Sequence, residues 1–321
     1  MATKILITGA TGFVGSHLIE YLLGKNNNNE FYGTYLSDNS LKNLDTVKNR
    51  INLTKLDLSN EKDVFELVEK VKPDIIFHLA AIASAIDSFS SPAESVINNI
   101  HSQINLLEGV RRSNLSDAKI LIISSAEVYG DVNKNDLPID ENVSFRPTNS
   151  YAVSKLAQDF LGLQYFLSYN LKTIRVRPFN HIGPRQSPGF VVAAFAKKIV
   201  EIEKGKRNGV LTVGNLEAKR DFTDVRDMVK AYDLAVSKGA FGEVYNLGSG
   251  ISYKISDILD KLLSLSKAEI TVEVDKSLFR PIDNPDLVCD GAKFKKLTGW
   301  TPEIGIDTTL KDTLDYWRNI I

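Results

Sequence analysis

The sequence predicts an α/β protein built on a doubly wound parallel Rossmann sheet, with a smaller C-terminal lobe interleaved with it. Short apolar runs rich in branched residues alternate with helical patterns along the first half of the chain. The first run, Lys4–Thr8, leads through a glycine-rich turn directly into a helical pattern. No Gly/Ser-rich or Pro-rich linker and no internal repeat divides the chain. The two lobes are therefore expected to be interleaved and not separable.

The alternation assigns each strand and helix of the first lobe. Strands are predicted over residues 4–8, 30–35, 51–58, 74–81, 119–125 and 173–178. Helices are predicted between them, over residues 16–23, 63–71 and 95–112 and from Tyr151 onward. Parallel strands joined by helices present their carboxyl ends at one edge of the sheet, where ligands bind in open α/β folds.

The character of the chain changes after Pro178. Residues 179–190 are polar and rich in turn formers, which predicts a loop over the ligand-binding edge. Beyond this loop the sequence predicts helices at 191–204 and from Leu310, and strands at 210–214, 244–248 and 270–274; residues 219–227 precede a further helix. We assign residues 1–178 to the first lobe, with later segments returning to it, and residues 179–321 mainly to the second.

Composition excludes several classes of function. The 321 residues include 39 basic and 40 acidic side chains, giving a formal net charge of −1. This balance argues against nucleic acid or a membrane surface as partner, and no apolar run is long enough to span a bilayer. One cysteine, Cys289, and the absence of a signal-peptide pattern predict a cytoplasmic location. The four histidines lack ligand spacing, so no metal site is predicted.

The turn after the first strand contains Gly9, Gly12 and Gly15 in a G-x-x-G-x-x-G spacing. A glycine turn between a strand and a helix lets the backbone approach a pyrophosphate, which then lies on the helix N-terminus. This context predicts a dinucleotide site. The other cofactor contacts expected in this turn and at the strand ends are Thr11, Phe13, Val14, Ser37, Asp57, Leu58, Leu79, Ala80, Ala81, Asn99 and Pro178.

The choice between NADP and NAD depends on the residues after the second strand. Neither a terminal acid nor an arginine is present there. Ser37 and Lys42 suit a 2′-phosphate, whereas Asp38 suits a free ribose, so the sequence leans only slightly to NADP. Asp57 is expected either to reach the adenine amino group or to cap the following helix.

Three residues predict the chemistry. Tyr151 and Lys155 lie four positions apart, on one face of a predicted helix. The ammonium group is expected to lower the tyrosine pKa from about 10 towards neutrality. Ser125, at the end of the fifth strand, is expected to hydrogen-bond the same substrate oxygen. This arrangement suits proton transfer on a sugar hydroxyl or carbonyl while a hydride moves on the adjacent carbon.

Together these residues resemble the extended short-chain dehydrogenase/reductases, the superfamily of nucleotide-sugar epimerases, dehydratases and reductases. The resemblance spans essentially the whole chain, and residues 177–186 and 213–222 are most similar to the GDP-mannose branch; residues 175–184 with 189–192 favour its reductase. It implies NAD(P) in the first lobe and a GDP-linked sugar in the second. It also implies a homodimer formed through the helices at 95–112 and from Tyr151.

The resemblance further implies site residues and a reaction. Ser125, Tyr151 and Lys155 act on the C4 ketone of a GDP-4-keto-6-deoxyhexose, giving a GDP-6-deoxyhexose such as GDP-D-rhamnose. Dehydratases of the dTDP-glucose type carry an aspartate where this chain has Ala126, while Glu127, a candidate base, is retained. Substrate contacts are expected from Ser125, Asn180, Arg185, Val191, Arg220 and Arg280. Asp221 and Asp224 are expected to be helix caps or ion-pair partners.

Three hypotheses follow. The first is an NAD(P)H-dependent 4-reductase of a GDP-keto-deoxyhexose. The second is 4,6-dehydration of GDP-mannose or 4-epimerisation of a nucleotide sugar on the same scaffold, which would recycle a tightly bound cofactor. The third is a non-catalytic NADP-binding sensor, which the presence of both Tyr151 and Lys155 disfavours.

Overall fold

The computed structural model describes residues 2–26, 28–83, 89, 91–279, 282 and 284–321. The strands are β1 (Lys4–Thr8), β2 (Glu30–Tyr35), β3 (Asn52–Lys55), β4 (Ile75–His78), β5 (Lys119–Ile123), β6 (Lys172–Pro178), β7 (Asn180–Ile182), β8 (Val210–Val213), β9 (Lys219–Asp224), β10 (Val244–Leu247), β11 (Ser252–Lys254), β12 (Thr271–Val274) and β13 (Asp286–Leu287). The helices are α1 (Phe13–Lys25), α2 (Glu61–Val71), α3 (Pro92–Arg112), α4 (Ser150–Tyr169), α5 (Val191–Glu203), α6 (Val225–Lys238), α7 (Ile255–Ser264), α8 (Ala292–Thr298) and α9 (Ile306–Ile320).

Seven parallel strands form the central sheet in the order β10-β6-β5-β4-β1-β2-β3. Helices α1 and α6 bury apolar side chains such as Leu18 and Met228 against one face. Helices α2, α3 and α4 bury Val68, Leu106 and Tyr165 against the other face. The predicted doubly wound architecture is therefore confirmed. The chain returns to this sheet for β10, while the boundary at residue 178 stays a prediction.

The second lobe has its own core. Helices α5, α7 and α9 pack around a cluster that includes Ile199, Val213, Ile258 and Leu314. Strand β9 pairs with β11, β13 and β7, and β8 pairs with β12. The expectation of an irregular loop over residues 179–190 is wrong at β7, because residues 180–182 pair with β9 as a parallel strand.

Several strands end earlier than predicted. Strand β3 ends at Lys55 and β5 at Ile123, so Asp57 and Ser125 lie in the connections that follow. The helices are longer than predicted at their N-termini, with α1 beginning at Phe13 and α9 at Ile306. The functional residues at the sheet edge are therefore on turns, where their backbone groups are available to a ligand.

A buried carboxylate attaches α4 to the sheet. Asp159 on α4 accepts from Arg175 at 2.5 Å and from Arg177 at 2.7 Å, and both arginines are on β6. All three side chains are buried, and Arg177 also lies 4.7 Å from the ring centroid of Phe145. Two guanidinium groups around one carboxylate satisfy its lone pairs, which makes burial of the charge tolerable.

We expect Asp159→Asn to lower the free energy of unfolding by about 3–5 kcal/mol, because it leaves two buried guanidinium groups without their counter-charge. Urea denaturation followed by circular dichroism measures the change. The matched control is Asp117→Asn, which removes the exposed partner of Lys172 and should leave the free energy of unfolding nearly unchanged. Equal losses in the two variants would contradict the role given to Asp159.

Candidate active site

The turn between β1 and α1 can be formed only by glycine at two of its positions. Gly9 has a φ of +67°, and a Cβ there would lie 3.0 Å from the backbone nitrogen of Ala80. A Cβ on Gly15 would lie 2.3 Å from the carbonyl oxygen of Gly9. The turn is therefore held tightly against the end of β4.

The N-terminus of α1 fits a dinucleotide pyrophosphate. Its N-cap residue is Gly12, and neither a side-chain cap nor an acidic residue in the first turn occupies the exposed amide groups in this described part of the chain. Unsatisfied amides and the positive end of the helix dipole bind anions. The predicted residues Thr11, Phe13 and Val14 form this end of the helix and its approach.

A 3-10 helix, Asp38–Leu44, packs against the glycine turn and was not predicted. The Asn43 side chain donates to the carbonyl oxygen of Thr11 at 2.9 Å. The Ser40 hydroxyl uses its single proton to donate to the carbonyl of Ser37. In the 2.6 Å hydrogen bond between the Thr11 and Ser40 hydroxyls, Thr11 is therefore the donor. Ser40 and Asn43 are thus site residues that sequence reasoning missed, because their Thr11 contacts are about thirty positions distant in sequence.

Three charged residues, Asp38, Lys55 and Asp57, lie in or beside this helix, near the residues from which the choice between NADP and NAD was predicted. Asp38 and Lys55 form an exposed ion pair of 2.5 Å. Asp57 is exposed and accepts from the Ser59 amide at 2.9 Å. The N-cap of α2 is Asn60, so the alternative that Asp57 caps this helix is wrong. The contact of Asp57 with adenine, and those of Ser37 and buried Leu58 with the cofactor, stay predictions.

The end of β4 is fixed by hydrogen bonds from β1 and α3. The Thr8 hydroxyl accepts from the amides of Leu79 and Ala80, both at 3.1 Å. Asn99 is fully buried: it accepts from the Ile82 amide at 2.8 Å and donates to the Ile82 carbonyl and the Ser154 hydroxyl. These contacts make Asn99 a support for the segment containing Ala81, and a direct cofactor contact stays a prediction.

Ser125 and Tyr151 meet at this edge. Ser125 caps a short 3-10 helix, Ala126–Tyr129, accepting from the Glu127 amide, and its side chain is close enough to the phenol of Tyr151 to influence the tyrosine pKa. Asn149 caps α4 through the Ala152 amide at 2.8 Å. Asn149 also donates to the Glu127 carboxylate at 3.3 Å. The turn after β5 and the start of α4 are therefore linked.

Burial controls the acidity of Tyr151 and Lys155. It raises the pKa of Tyr151 to about 12; the hydrogen bond from Ser125 opposes this rise, and the charge of Glu127 adds to it. Burial lowers the pKa of Lys155 to about 7. The expectation that Lys155 lowers the tyrosine pKa is wrong, because desolvation dominates and the Lys155 ammonium donates to the Ile123 carbonyl at 2.9 Å. Tyr151 is therefore a neutral phenol at neutral pH, the form that can donate a proton.

Most residues predicted to bind substrate lie in the second lobe or in the segment that connects β6 to it. Pro178 ends β6, Asn180 begins β7 and half-exposed Val191 begins α5. Arg220 is buried on β9 and donates to the carbonyl oxygens of Lys219 and Asn284, each at 2.7 Å. Arg280 lies outside the described residues. These substrate contacts stay predictions.

Two acidic residues of β9 have different roles. Asp224 caps α6 through the Arg226 amide and pairs with the Arg226 side chain, as expected. The same expectation is wrong for Asp221, which is fully buried and accepts from the backbone amides of Ser249, Gly250 and Cys289. Asp221 thus orders the turn after β10 through backbone groups distant in sequence.

In the described part of the chain, no three or more His, Cys, Asp or Glu side chains are grouped so as to hold a metal ion. None of the helices described is both long and apolar enough to cross a membrane.

Known proteins match this architecture over its whole length. The family model described as GDP-mannose 4,6 dehydratase matches residues 6–313. The chain belongs to this family. GDP-6-deoxy-D-mannose reductase of Pseudomonas aeruginosa is 33% identical over 319 residues, covering 99% of this chain and 98% of the relative.

Solved structures give the same result. RMD from Pseudomonas aeruginosa complexed with NADPH has a TM-score of 0.85 and 31% identity, with 100% of both chains covered. UDP-glucose 4-epimerase from Thermotoga maritima with UDP-glucose has a TM-score of 0.87 and 26% identity, with 99% of both chains covered. The protein is an NAD(P)-dependent oxidoreductase-type enzyme of the nucleotide-sugar short-chain dehydrogenases, which confirms the predicted enzyme and cofactor classes.

We expect Gly15→Ala to weaken NADPH binding by about tenfold or more, because the added methyl group collides with the Gly9 carbonyl and displaces the turn. Isothermal titration calorimetry measures the dissociation constant. Gly24→Ala, on the same helix with open space around its Cα, is the control and should bind NADPH normally. Normal binding by Gly15→Ala would contradict this account of the turn.

We expect Lys155→Met to raise the free energy of unfolding at about pH 6, with a smaller gain at about pH 9.5. Burial holds the folded pKa of Lys155 near 7 against an ordinary 10.5, so between these values the unfolded chain binds the extra proton. The burial cost is therefore complete below about pH 7 and is lost as the pH rises. Urea denaturation at both pH values measures the gain; a gain independent of pH would contradict the assignment.

Proposed function

We propose that the protein reduces the C4 ketone of a GDP-4-keto-6-deoxyhexose to a GDP-6-deoxyhexose such as GDP-D-rhamnose. The observation that carries the proposal is the combination of Ser125 beside the phenol of Tyr151 with a buried methyl group at Ala126. A ketone reduction needs only the first of these. A dehydratase of the dTDP-glucose type would need an acid where Ala126 stands.

The proposed mechanism assigns a separate task to each side chain. A reduced nicotinamide, when bound, would supply the hydride for this reduction. Tyr151, a neutral phenol at neutral pH, donates the proton to the C4 oxygen, and Ser125 hydrogen-bonds the same oxygen and orients the ketone. Lys155 would hold the nicotinamide ribose.

The finer substrate assignment rests on relatives and on cationic residues. The P. aeruginosa relative is named a GDP-6-deoxy-D-mannose reductase, and RMD from the same organism was solved with NADPH. These names support a GDP-linked sugar and favour NADPH over NADH. Buried Arg220, with Arg280, is proposed to bind the diphosphate, and Asn180 and Val191 to line the sugar side.

A second candidate is 4,6-dehydration of GDP-mannose. It is favoured by Glu127, which is retained and lies close enough to Tyr151 to raise its pKa. Against it, the Glu127 carboxylate accepts from Asn149, the N-cap of α4, so this acid has a structural role that a reductase would also need.

The test is absorbance at the nicotinamide band with enzyme, NADPH or NADH, and the 4-keto-6-deoxy product of GDP-mannose dehydration. Consumption of one reduced cofactor per ketone lost would support the reductase and give its cofactor preference. No consumption, with loss of GDP-mannose supplied alone, would transfer the assignment to the dehydratase. Inactivity in both assays would refute both and direct the search to epimerisation of other nucleotide sugars.

We also propose a homodimer through α3 and α4. Val153, Phe160 and Leu167 recur at seven-residue spacing on α4, and their exposed fractions are 45%, 47% and 69%. Ile97 on neighbouring α3 is 64% exposed. An apolar stripe of this period packs against a second helix pair. Sedimentation equilibrium should give twice the 35.6 kDa chain mass; the mass of a single chain would refute the proposal.

A cytoplasmic location stays a prediction from the single cysteine.

We expect Tyr151→Phe to lower kcat by about 10²–10⁴-fold, because it removes the proton donor. The dissociation constant for NADPH should stay within about twofold, since the turn and α1 are untouched. Tyr169→Phe, near the C-terminal end of the same helix, is the control and should keep full activity. An unchanged rate in Tyr151→Phe would contradict the acid role.

A further inference from the structure

A partly buried ion pair outside the Ser125–Tyr151 site connects the segment after β7 to α1. Arg185 donates through Nη1 to Glu20 Oε1 at 2.9 Å and through Nη2 to Glu20 Oε2 at 2.5 Å. The Arg185 side chain is only 14% exposed. A bidentate guanidinium–carboxylate pair fixes the orientation as well as the position of both groups. We call Arg185, Glu20, His17 and Asn43 the Arg185 cluster.

His17 completes the pair in one defined protonation state. Arg185 Nη2 donates to His17 Nδ1 at 2.9 Å, so the proton of the neutral ring is on Nε2, which donates to the Pro184 carbonyl at 2.9 Å. Burial, assisted by the charge of Arg185, lowers the pKa of His17 to about 4. The histidine is therefore neutral at working pH, and all these contacts are compatible with one another.

Asn43 carries the connection to the glycine turn. Its carbonyl oxygen accepts from Arg185 Nη1 at 2.9 Å, and its side chain donates to the Thr11 carbonyl at 2.9 Å. One residue thus separates the guanidinium from the turn between β1 and α1. The same 3-10 helix holds the Thr11 hydroxyl through Ser40.

The backbone at Arg185 is strained. Its φ is +73°, a left-handed conformation that costs free energy for a residue with a Cβ. An arginine stands where glycine would relieve this strain. Its guanidinium is occupied by Glu20, His17 and Asn43, so the earlier expectation that it clamps the substrate diphosphate has no support in these contacts.

We propose that Arg185 is a positioning residue for the dinucleotide. It holds the 3-10 helix Asp38–Leu44 and the Thr11 turn in the geometry that receives the adenosine end of NADPH. The segment that carries it belongs to the second lobe, so that lobe shapes the cofactor site directly. The inference extends the proposed function but requires only that the ligand is NAD(P).

The test is Arg185→Lys, which keeps the charge and loses the planar fork. The dissociation constant for NADPH, measured by calorimetry, should rise about tenfold. At saturating NADPH, kcat and the KM for the nucleotide sugar should stay within about twofold. A raised sugar KM with normal NADPH binding would overturn the proposal in favour of a diphosphate clamp. Parallel loss of all three parameters, with a large fall in Tm, would overturn it in favour of a general structural role.

Two variants accompany this test. Arg226→Lys is the matched control. Arg226 lines the same surface cleft as Arg185 and Glu20, but its guanidinium pairs with Asp224 and Asp312. The NADPH binding of this variant should be normal. Asn43→Ala removes the bond to Thr11 and should also weaken NADPH binding. If both residues act through the turn, the double variant loses little more than either single variant, whereas additive losses would overturn the proposal.

These measurements separate the inference from the proposed function. Calorimetry with NADPH needs no ketone, so failure of the reductase assay leaves the comparison of variants intact. Normal NADPH binding by Arg185→Lys in an active reductase would refute the positioning role alone.

Discussion

The site depends on the buried carboxylate of Asp159 and its two arginines. Tyr151 and Lys155 are on the same helix as Asp159, two turns and one turn before it respectively, and Ser125 follows the strand beside β6. Fixing α4 on β6 therefore fixes the distance between the phenol and the hydroxyl that are proposed to share a substrate oxygen. The constraint is electrostatic: an unpaired charge at this depth would be costly, so the helix has one favourable position.

The parts of the fold that could be predicted depend on local pattern. Lys4–Thr8 is apolar and β-branched, Gly9 and Gly15 leave no room for a side chain, and the helix follows at once. Each of these features is specified by neighbouring residues. The strand–helix alternation then gives the parallel sheet, and the sheet places Ser125 at its carboxyl edge.

The remaining features depend on residues distant in sequence. Asp221 accepts from amides 28 to 68 positions away, and Arg185 contacts groups more than 140 positions away. Strand β7 has only three residues and exists because β9 pairs with it. Local propensity carries no information about such partners, so the turn formers at Gly183 and Pro184 predicted a loop.

The pKa of Tyr151 was predicted to shift in the wrong direction for a related reason. The spacing of Tyr151 and Lys155 shows which charges are near, but not how much water is lost. Desolvation disfavours phenolate and ammonium alike, so the two pKa values move in opposite directions. A buried lysine that titrates near neutrality is the result.

The return of the chain to the central sheet limits how this protein can be divided. Strand β10 pairs with β6 after the polypeptide has already built β7, β8 and β9. A fragment ending at residue 178 would expose the β6 edge, which in the complete chain is covered by β10, and such an edge invites aggregation. The two lobes therefore cannot be exchanged between relatives as separate modules by a single crossover; a functional chimera needs a second junction that keeps β10 with its sheet.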